Sequence, residues 1–206
     1  YLLILGNCIF LEKEVFYMKT KKKIDVKALT VCSLLAAMGV VCKALLSINI
    51  TIGSALLSRL GVHVLFIYLV AITYGPLLGA ITGGVIDLLG TLLEAKYAPN
   101  PAYTLTLALT GAAIWVVFNF LDKKTNLKLF YKILLTVIII QTLVTYPLNT
   151  FWNSVFYTGF NLFWAEAIKR APSVLFYIIV YPVILGTLLP IMRKVLGYNK
   201  KEKSAA

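Results

Sequence analysis

Six apolar stretches, each closed by a polar, glycine-bearing or proline-bearing segment, divide the chain. They run from about Ile24 to Ile50, Arg59 to Tyr74, Pro76 to Leu93, Tyr103 to Leu121, Ile133 to Asn153 and Pro172 to Met192. A hydrocarbon layer about 30 Å thick asks for roughly 20 helical residues, so most of these stretches can cross it. The second, about 22–24 Å if helical, is short. Between them, Ser47 to Ser58 is uncharged and rich in Ser, Thr, Asn and Gly, and reads as a loop. Glu94 to Ala102 is a Pro-rich loop with Tyr97 and Asn100, and Asp122 to Lys132 is polar and basic. Ser154 to Arg170 reads as an aromatic-rich loop or short interfacial helix, with Tyr157, Phe160, Phe163 and Trp164. The fold expected is an all-α membrane protein, a six-transmembrane-helix bundle.

The third stretch organises the rest. It lies between a Gly75-Pro76 break and a Pro99-Asn100-Pro101 break, and carries one carboxylate, Asp87, in its middle. At about 100° per residue, Gly79, Gly83, Asp87 and Gly90 fall within a stripe about 80° wide. A carboxylate facing lipid costs a few kcal/mol or more, so Asp87 is expected to point into protein, with the glycines letting a neighbouring helix come close. The first stretch has small pairs at i, i+4, Cys32 with Ala36 and Ser33 with Ala37, which also suit close helix contact. The second opens with Arg59 and His63, one turn apart on one helical face. In the fifth, Pro147 removes a backbone donor and should kink the helix just before Asn149-Thr150-Phe151-Trp152-Asn153.

Composition fits this reading. Of 206 residues 60% are hydrophobic and only 14% charged, against about 25% charged in ordinary soluble domains. The net charge of +12 raises nucleic acid as a partner, but its placement argues for a membrane instead. Lys19, Lys21, Lys22, Lys23 and Lys27 precede the first stretch, Lys123, Lys124, Lys128 and Lys132 join the fourth to the fifth, and Arg193, Lys194, Lys200, Lys201 and Lys203 follow the sixth. With six spans all of these share one side, which puts both termini in the cytoplasm. Lys43, Arg59, Lys96, Lys169 and Arg170 then fall at the outer ends, against the usual bias, beside the carboxylates Glu94 and Glu166. A cationic, aromatic-rich outer vestibule suits an anionic, partly planar solute. Residues 1–18 are expected to be an extra or poorly ordered segment, with Met18 as a natural start. Residues 19–196 form the membrane domain, and 197–206 a basic cytoplasmic tail. Cys32 and Cys42, ten residues apart on one helix, stand about 15 Å from each other and cannot pair.

The chain has no HExxH, GxSxG, Walker-type loop, metal cluster or Cys/His pair. It is therefore expected to be no enzyme and to hold no cofactor or metal. Nor does it show an evident pair of three-helix inverted repeats, and it looks like a binding subunit. At this point the motifs reach a family. Arg59 followed sixteen residues later by Gly75-Pro76 resembles an R-x15-G-P signature. Gly79, Gly83 and Asp87-Leu88-Leu89-Gly90 resemble a G-x-x-x-G-x-x-x-D-[LI]-[IL]-G helix. Pro101-Ala102-Tyr103-Thr104-Leu105-Thr106 is similar to P-G-F-T-L-T, and Asn149-Thr150-Phe151-Trp152 to N-T-L-W. These belong to the substrate-binding S-components of energy-coupling-factor (ECF) vitamin transporters, and within them to the folate-type branch. The chain departs from that branch at Val62-His63-Val64-Leu65-Phe66, where the branch has G-F-x-P, and at Ala98-Pro99-Asn100-Pro101, where it has Y-F-P-G.

The resemblance implies high-affinity capture of a water-soluble vitamin at the bacterial cell membrane. The partners would be a membrane coupling subunit and two cytoplasmic ATPases, which would supply the ATP hydrolysis. Folate leads, with pantothenate or another anionic vitamin as the alternative. A self-sufficient secondary transporter and a non-transport membrane scaffold are the rivals from other classes. Expected substrate-binding residues are Arg59, His63, Tyr97, Tyr103, Thr104, Asn149, Trp152, Asn153, Trp164 and Arg170. Asp87, Gly79, Gly83 and Gly90 are expected to be structural. Ser33 and Ala37, at the family's small-x-x-x-small position, would belong to the face that docks on the coupling subunit. Plainer readings stand beside these: Arg59 as a snorkelling flank, His63 as a satisfied interior imidazole, and the aromatics as an interface belt.

Overall fold

The computed structural model describes residues 26–52, 55–94 and 100–196, with side chains outside 48–60. The expected N-terminal segment 1–18, the loop residues Tyr97 and Pro99, and the tail 197–206 lie outside the described residues. Helix α1 spans Val26–Leu45 and is followed by an antiparallel hairpin, β1 Ile48–Ile52 and β2 Ala55–Leu60. Then come α2 Val64–Tyr74, α3 Pro76–Glu94 and α4 Pro101–Lys124. Helix α5 (Leu129–Ile139) runs through a π turn, Ile140–Thr145, into α6 (Tyr146–Asn153) and a second π turn, Ser154–Thr158. A 3-10 turn, Phe160–Leu162, leads to α7, Phe163–Val195.

Among the described residues, five helical runs are long and apolar enough to cross a membrane, and α2, with 11 residues, is a shorter sixth. The six apolar segments therefore stand as helices. Three local expectations are corrected. The stretch read as a loop from Ser47 is the β hairpin. Its β-branched Ile50-Thr51-Ile52 favours extended backbone, and the register pairs Asn49 with Arg59, with an irregularity between Ile50 and Thr51. Arg59 thus lies on a strand, not on the helix that starts at Val64, and the one-turn relation to His63 is absent. Third, the last helix begins at Phe163, not Pro172. Pro172, Pro182 and Pro190 all lie inside its 33 residues, a length of about 50 Å that exceeds the hydrocarbon thickness.

Pro147 acts on the backbone just before it. The Tyr146 N–H reaches back five residues to the Gln141 carbonyl, and this wider turn accommodates a proline that can neither donate nor fit the ordinary α ladder. The second π turn closes in the same way, the Gly159 N–H donating to the Ser154 carbonyl at 2.8 Å, with Gly159 at φ +80°.

The core is built around α3. A Cβ at Gly79 would stand 2.8 Å from the Gly111 carbonyl of α4, and one at Gly83 would collide with the Leu107 carbonyl. Only glycine permits this approach of the two backbones. On the other side Gly90 leaves room for the Lys43 stem, whose Cδ would be 2.6 Å from a Cβ there. Ile67, Tyr68, Ile86, Ile114, Ile133, Ile140, Leu185 and Leu189 fill the centre. Asn100 starts α4, its Oδ1 accepting the Ala102 N–H at 3.0 Å with Pro101 next to it.

Candidate functional site

Two polar networks meet at the first turn of α4. The first is centred on Asp87, which is 6% exposed. Its Oδ1 is ion-paired with Lys43 of α1, and its Oδ2 accepts the Thr104 hydroxyl of α4 at 2.7 Å. Lys43 Nζ also donates to the Asp87 carbonyl at 3.0 Å and to Thr91 Oγ1 at 2.8 Å. One carboxylate thus ties three helices, and the lysine amine and the carboxylate are both hydrogen-bonded away from lipid.

The second network starts one residue earlier. The Tyr103 hydroxyl donates to Asn153 Oδ1 at 3.4 Å, and Asn153 Nδ2 donates to Glu166 Oε2 at 2.8 Å. Glu166, 8% exposed, also accepts from Lys169 Nζ at 3.0 Å. Arg170 Nε stands 4.0 Å from the same carboxylate, outside hydrogen-bond range. Arg170, Glu166 and Tyr157 are the polar neighbours of the Tyr103 hydroxyl. Below this cluster lies a cavity of about 40 Å³, walled by Gln141, Tyr146, Asn149, Arg170, Ser173 and Tyr177 among others. Two buried atoms of its wall residues, Asn149 Oδ1 and Arg170 Nε, have no hydrogen-bond partner among the described residues. One is an acceptor and the other a donor. Buried polar atoms are rarely left so, and a pair of opposite sense on one cavity makes it the candidate site.

The hairpin is anchored beside this cavity. Tyr177, a wall residue, accepts the Gly61 N–H at 3.2 Å, and Tyr181, one turn further along α7, donates to the Gly61 carbonyl at 2.6 Å. On the other flank, Trp152 Nε1 donates to Thr106 Oγ1 at 3.1 Å and its ring stacks on Phe156 at 6.0 Å.

Of the residues singled out in the sequence, Tyr103, Asn149, Asn153 and Arg170 come together in the second network or its cavity, and Trp152 is adjacent on α6. Thr104 turns to Asp87 instead. Arg59 sits on β2 two residues from the anchored Gly61, its side chain outside the described set. His63 is half-buried at the start of α2. Trp164 is 77% exposed against the Phe163 ring and joins neither network. Tyr97 lies outside the described residues. Gly79 and Gly83 pack on α4, and Gly90 on Lys43. Ser33 and Ala37 line an apolar groove of about 400 Å³ between α1 and α3, with Leu29, Ile81 and Val85. Not singled out as site residues were Glu166, Gln141, Tyr177 and the partner of Asp87, Lys43. The last had a signal: one lysine and one aspartate in otherwise apolar helices call for each other.

Comparison with known proteins gives consistent results. Residues 27–192 match the family described as "ECF transporter, substrate-specific component". A protein of Clostridium novyi (strain NT) named "Folate transporter FolT" is 35% identical over 154 residues, covering 69% of this chain and 82% of that protein. Among solved structures, "Crystal structure of FolT bound with folic acid" superposes with TM-score 0.62 at 20% identity, covering 80% of this chain and 93% of the other. "Structure and mechanism of the S component of a bacterial ECF transporter" superposes with TM-score 0.53 at 18% identity, covering 85% and 98%.

Proposed function

The chain belongs to the substrate-specific components of ECF transporters, folate type, and from that premise we propose that it captures folate outside the cell for an ATP-driven importer. The observation that carries the substrate reading is the cavity with unpartnered Asn149 Oδ1 and Arg170 Nε. A carboxylate of the glutamate end of folate answers the Arg170 donor, and the amide N–H of that same end answers the Asn149 acceptor. Trp152 and Tyr103 offer aromatic faces for the pterin and benzoyl rings. Lys169 and Arg170 offer cations for the glutamate carboxylates. The cavity volume of about 40 Å³ is far below the several hundred Å³ of a site for a molecule this size. Binding of a folate in this cavity therefore requires its wall to move.

Both termini are assigned to the cytoplasm. Arg193, near the end of α7, lies 5.9 Å from the Phe118 ring of α4. This supports the basic α4–α5 connection and the basic end of α7 sharing one end of the bundle, the end that faces the cytoplasm under the positive-inside rule. The α1–α3 groove with Ser33 and Ala37 is assigned to the membrane coupling subunit, with two ATPases behind it. Residues 19–196 make up the membrane unit. Calorimetric titration of the purified chain with folic acid, pantothenate and other vitamins tests the assignment. Folic acid is expected to bind at nanomolar concentration. Tight binding of pantothenate instead would move the assignment to another anionic vitamin, and silence for all would end the capture reading.

A further inference from the structure

Glu166 has no place in the function as stated so far. It is a carboxylate, 8% exposed, in the first turn of α7, beside the cations assigned to an anionic solute. Such a group is costly to hold in a membrane protein unless it is paired. It is paired with Lys169 at 3.0 Å and with the Asn153 amide at 2.8 Å. Arg170 is different: its guanidinium reaches the Tyr103 hydroxyl, but its Nε is buried, 4.0 Å from Glu166 Oε2, and without a hydrogen-bond partner among the described residues. The carboxylate is therefore close enough to balance the arginine's charge but does not use its donor. That donor is left for another acceptor.

Resting on the folate reading, we propose that Glu166 is an internal counter-anion: it occupies, in the ligand-free protein, the electrostatic position that a solute carboxylate takes beside Lys169 and Arg170, and so sets which charge the site accepts. Without it, two adjacent cations would stand together at a partly buried site, each raising the cost of the other. With it, the three groups carry one net positive charge instead of two, and a solute carboxylate must share the cations with a negative charge already present. Coulomb repulsion between carboxylates a few ångströms apart, at the effective dielectric of a partly buried site, exceeds what one oriented hydrogen bond contributes. Glu166 therefore stabilises the empty protein and weakens the anion complex. A residue that merely braced Asn153 and Arg170 would favour both.

The test is Glu166→Gln, which keeps an oxygen acceptor for Asn153 and removes the charge. Folic acid is titrated calorimetrically into the full chain, and ligand-free thermal stability is measured in parallel. The expected result is opposite movement: folate affinity at least tenfold higher than in the wild type, with a lower ligand-free melting temperature. Unchanged or weaker folate affinity in the folded variant overturns the proposal. If Glu166→Gln does not fold, Lys169→Gln decides. Lys169 is half-exposed, and without it Glu166 is left to compete for Arg170, so folate affinity is expected to fall at least threefold; unchanged affinity overturns the proposal. Failure of the wild type to bind folic acid is a different outcome, which refutes the substrate assignment.

Discussion

Replacing Asp87 by Asn tests the architecture at its most costly point. The Lys43 and Asp87 side chains are 7% and 8% exposed, so the change takes from a buried lysine amine the carboxylate it is paired with. Two charges about 4 Å apart at an effective dielectric near 20 attract by about 4 kcal/mol, and removing one partner of a buried pair costs roughly 3–5 kcal/mol. Part of this is retained, because Lys43 keeps the residue-87 carbonyl at 3.0 Å and Thr91 Oγ1 at 2.8 Å. The expected loss is about 3 kcal/mol. Lys43→Met alone leaves an unpaired buried carboxylate and should cost a similar amount. The double variant Lys43→Met/Asp87→Asn buries no charge and should fall within about 1 kcal/mol of the wild type. Reversible unfolding of the three variants in mixed micelles gives the coupling energy, which these losses put at about 5 kcal/mol. A Asp87→Asn protein as stable as the wild type, or a double variant that loses the sum of the singles, would refute the reasoning.

Gly83→Val pushes a branched side chain into the Leu107 carbonyl and should cost about 3 kcal/mol or prevent folding, read by the same unfolding assay. Trp152→Phe keeps the ring but loses the 3.1 Å bond to Thr106; a stability loss of about 1 kcal/mol is expected, and no change would show that bond to be idle. Trp at Ser33 or Ala37 fills the α1–α3 groove from its wall; ATP-driven uptake by the assembled transporter should be lost while folate titration is unchanged, and loss of binding too would make the groove internal packing.

The number of spans was legible because lipid leaves the chain little choice: an apolar stretch of this length satisfies its backbone as a helix. The hairpin was not, because Ser47 to Ser58 has the composition of a loop and its alternation is too short to separate from one. Arg59 was consequently placed on a helix when it lies on β2, opposite Asn49. The start of α7 was misplaced for a related reason. The apolar pattern starts the sixth stretch at Pro172, yet membrane helices tolerate interior prolines where neighbours resatisfy the backbone, and α7 contains three. Asp87 was readable as pointing into protein from its glycine stripe. Charges inside two otherwise apolar helices hint at its pairing with Lys43, but the contact itself depends on the relative depth and rotation of the two helices, which no local pattern encodes. Glu166 was visible only as an outer carboxylate; its role depends on Asn153, which a π-containing helix brings across to it.

The two networks are joined by adjacent residues. Tyr103 and Thr104 point about 100° apart on the first turn of α4, one toward Asn153 and the Glu166 cluster, the other toward Asp87. Asp87 in turn holds Lys43, on the helix whose Ser33 and Ala37 line the apolar groove. Contiguity of this kind is not coupling by itself, because coupling requires an element with two arrangements that both sites bias. The small cavity supplies a reason to look for one. Under the folate reading the solute is far larger than about 40 Å³ and has to displace the wall that contains Asn149 and Arg170, a side that meets α4 through Tyr103–Asn153 and Thr110–Thr145, both at 3.4 Å, and through Trp152–Thr106 at 3.1 Å. The Thr104–Asp87 bond, at 2.7 Å and charge-assisted, is stronger than these.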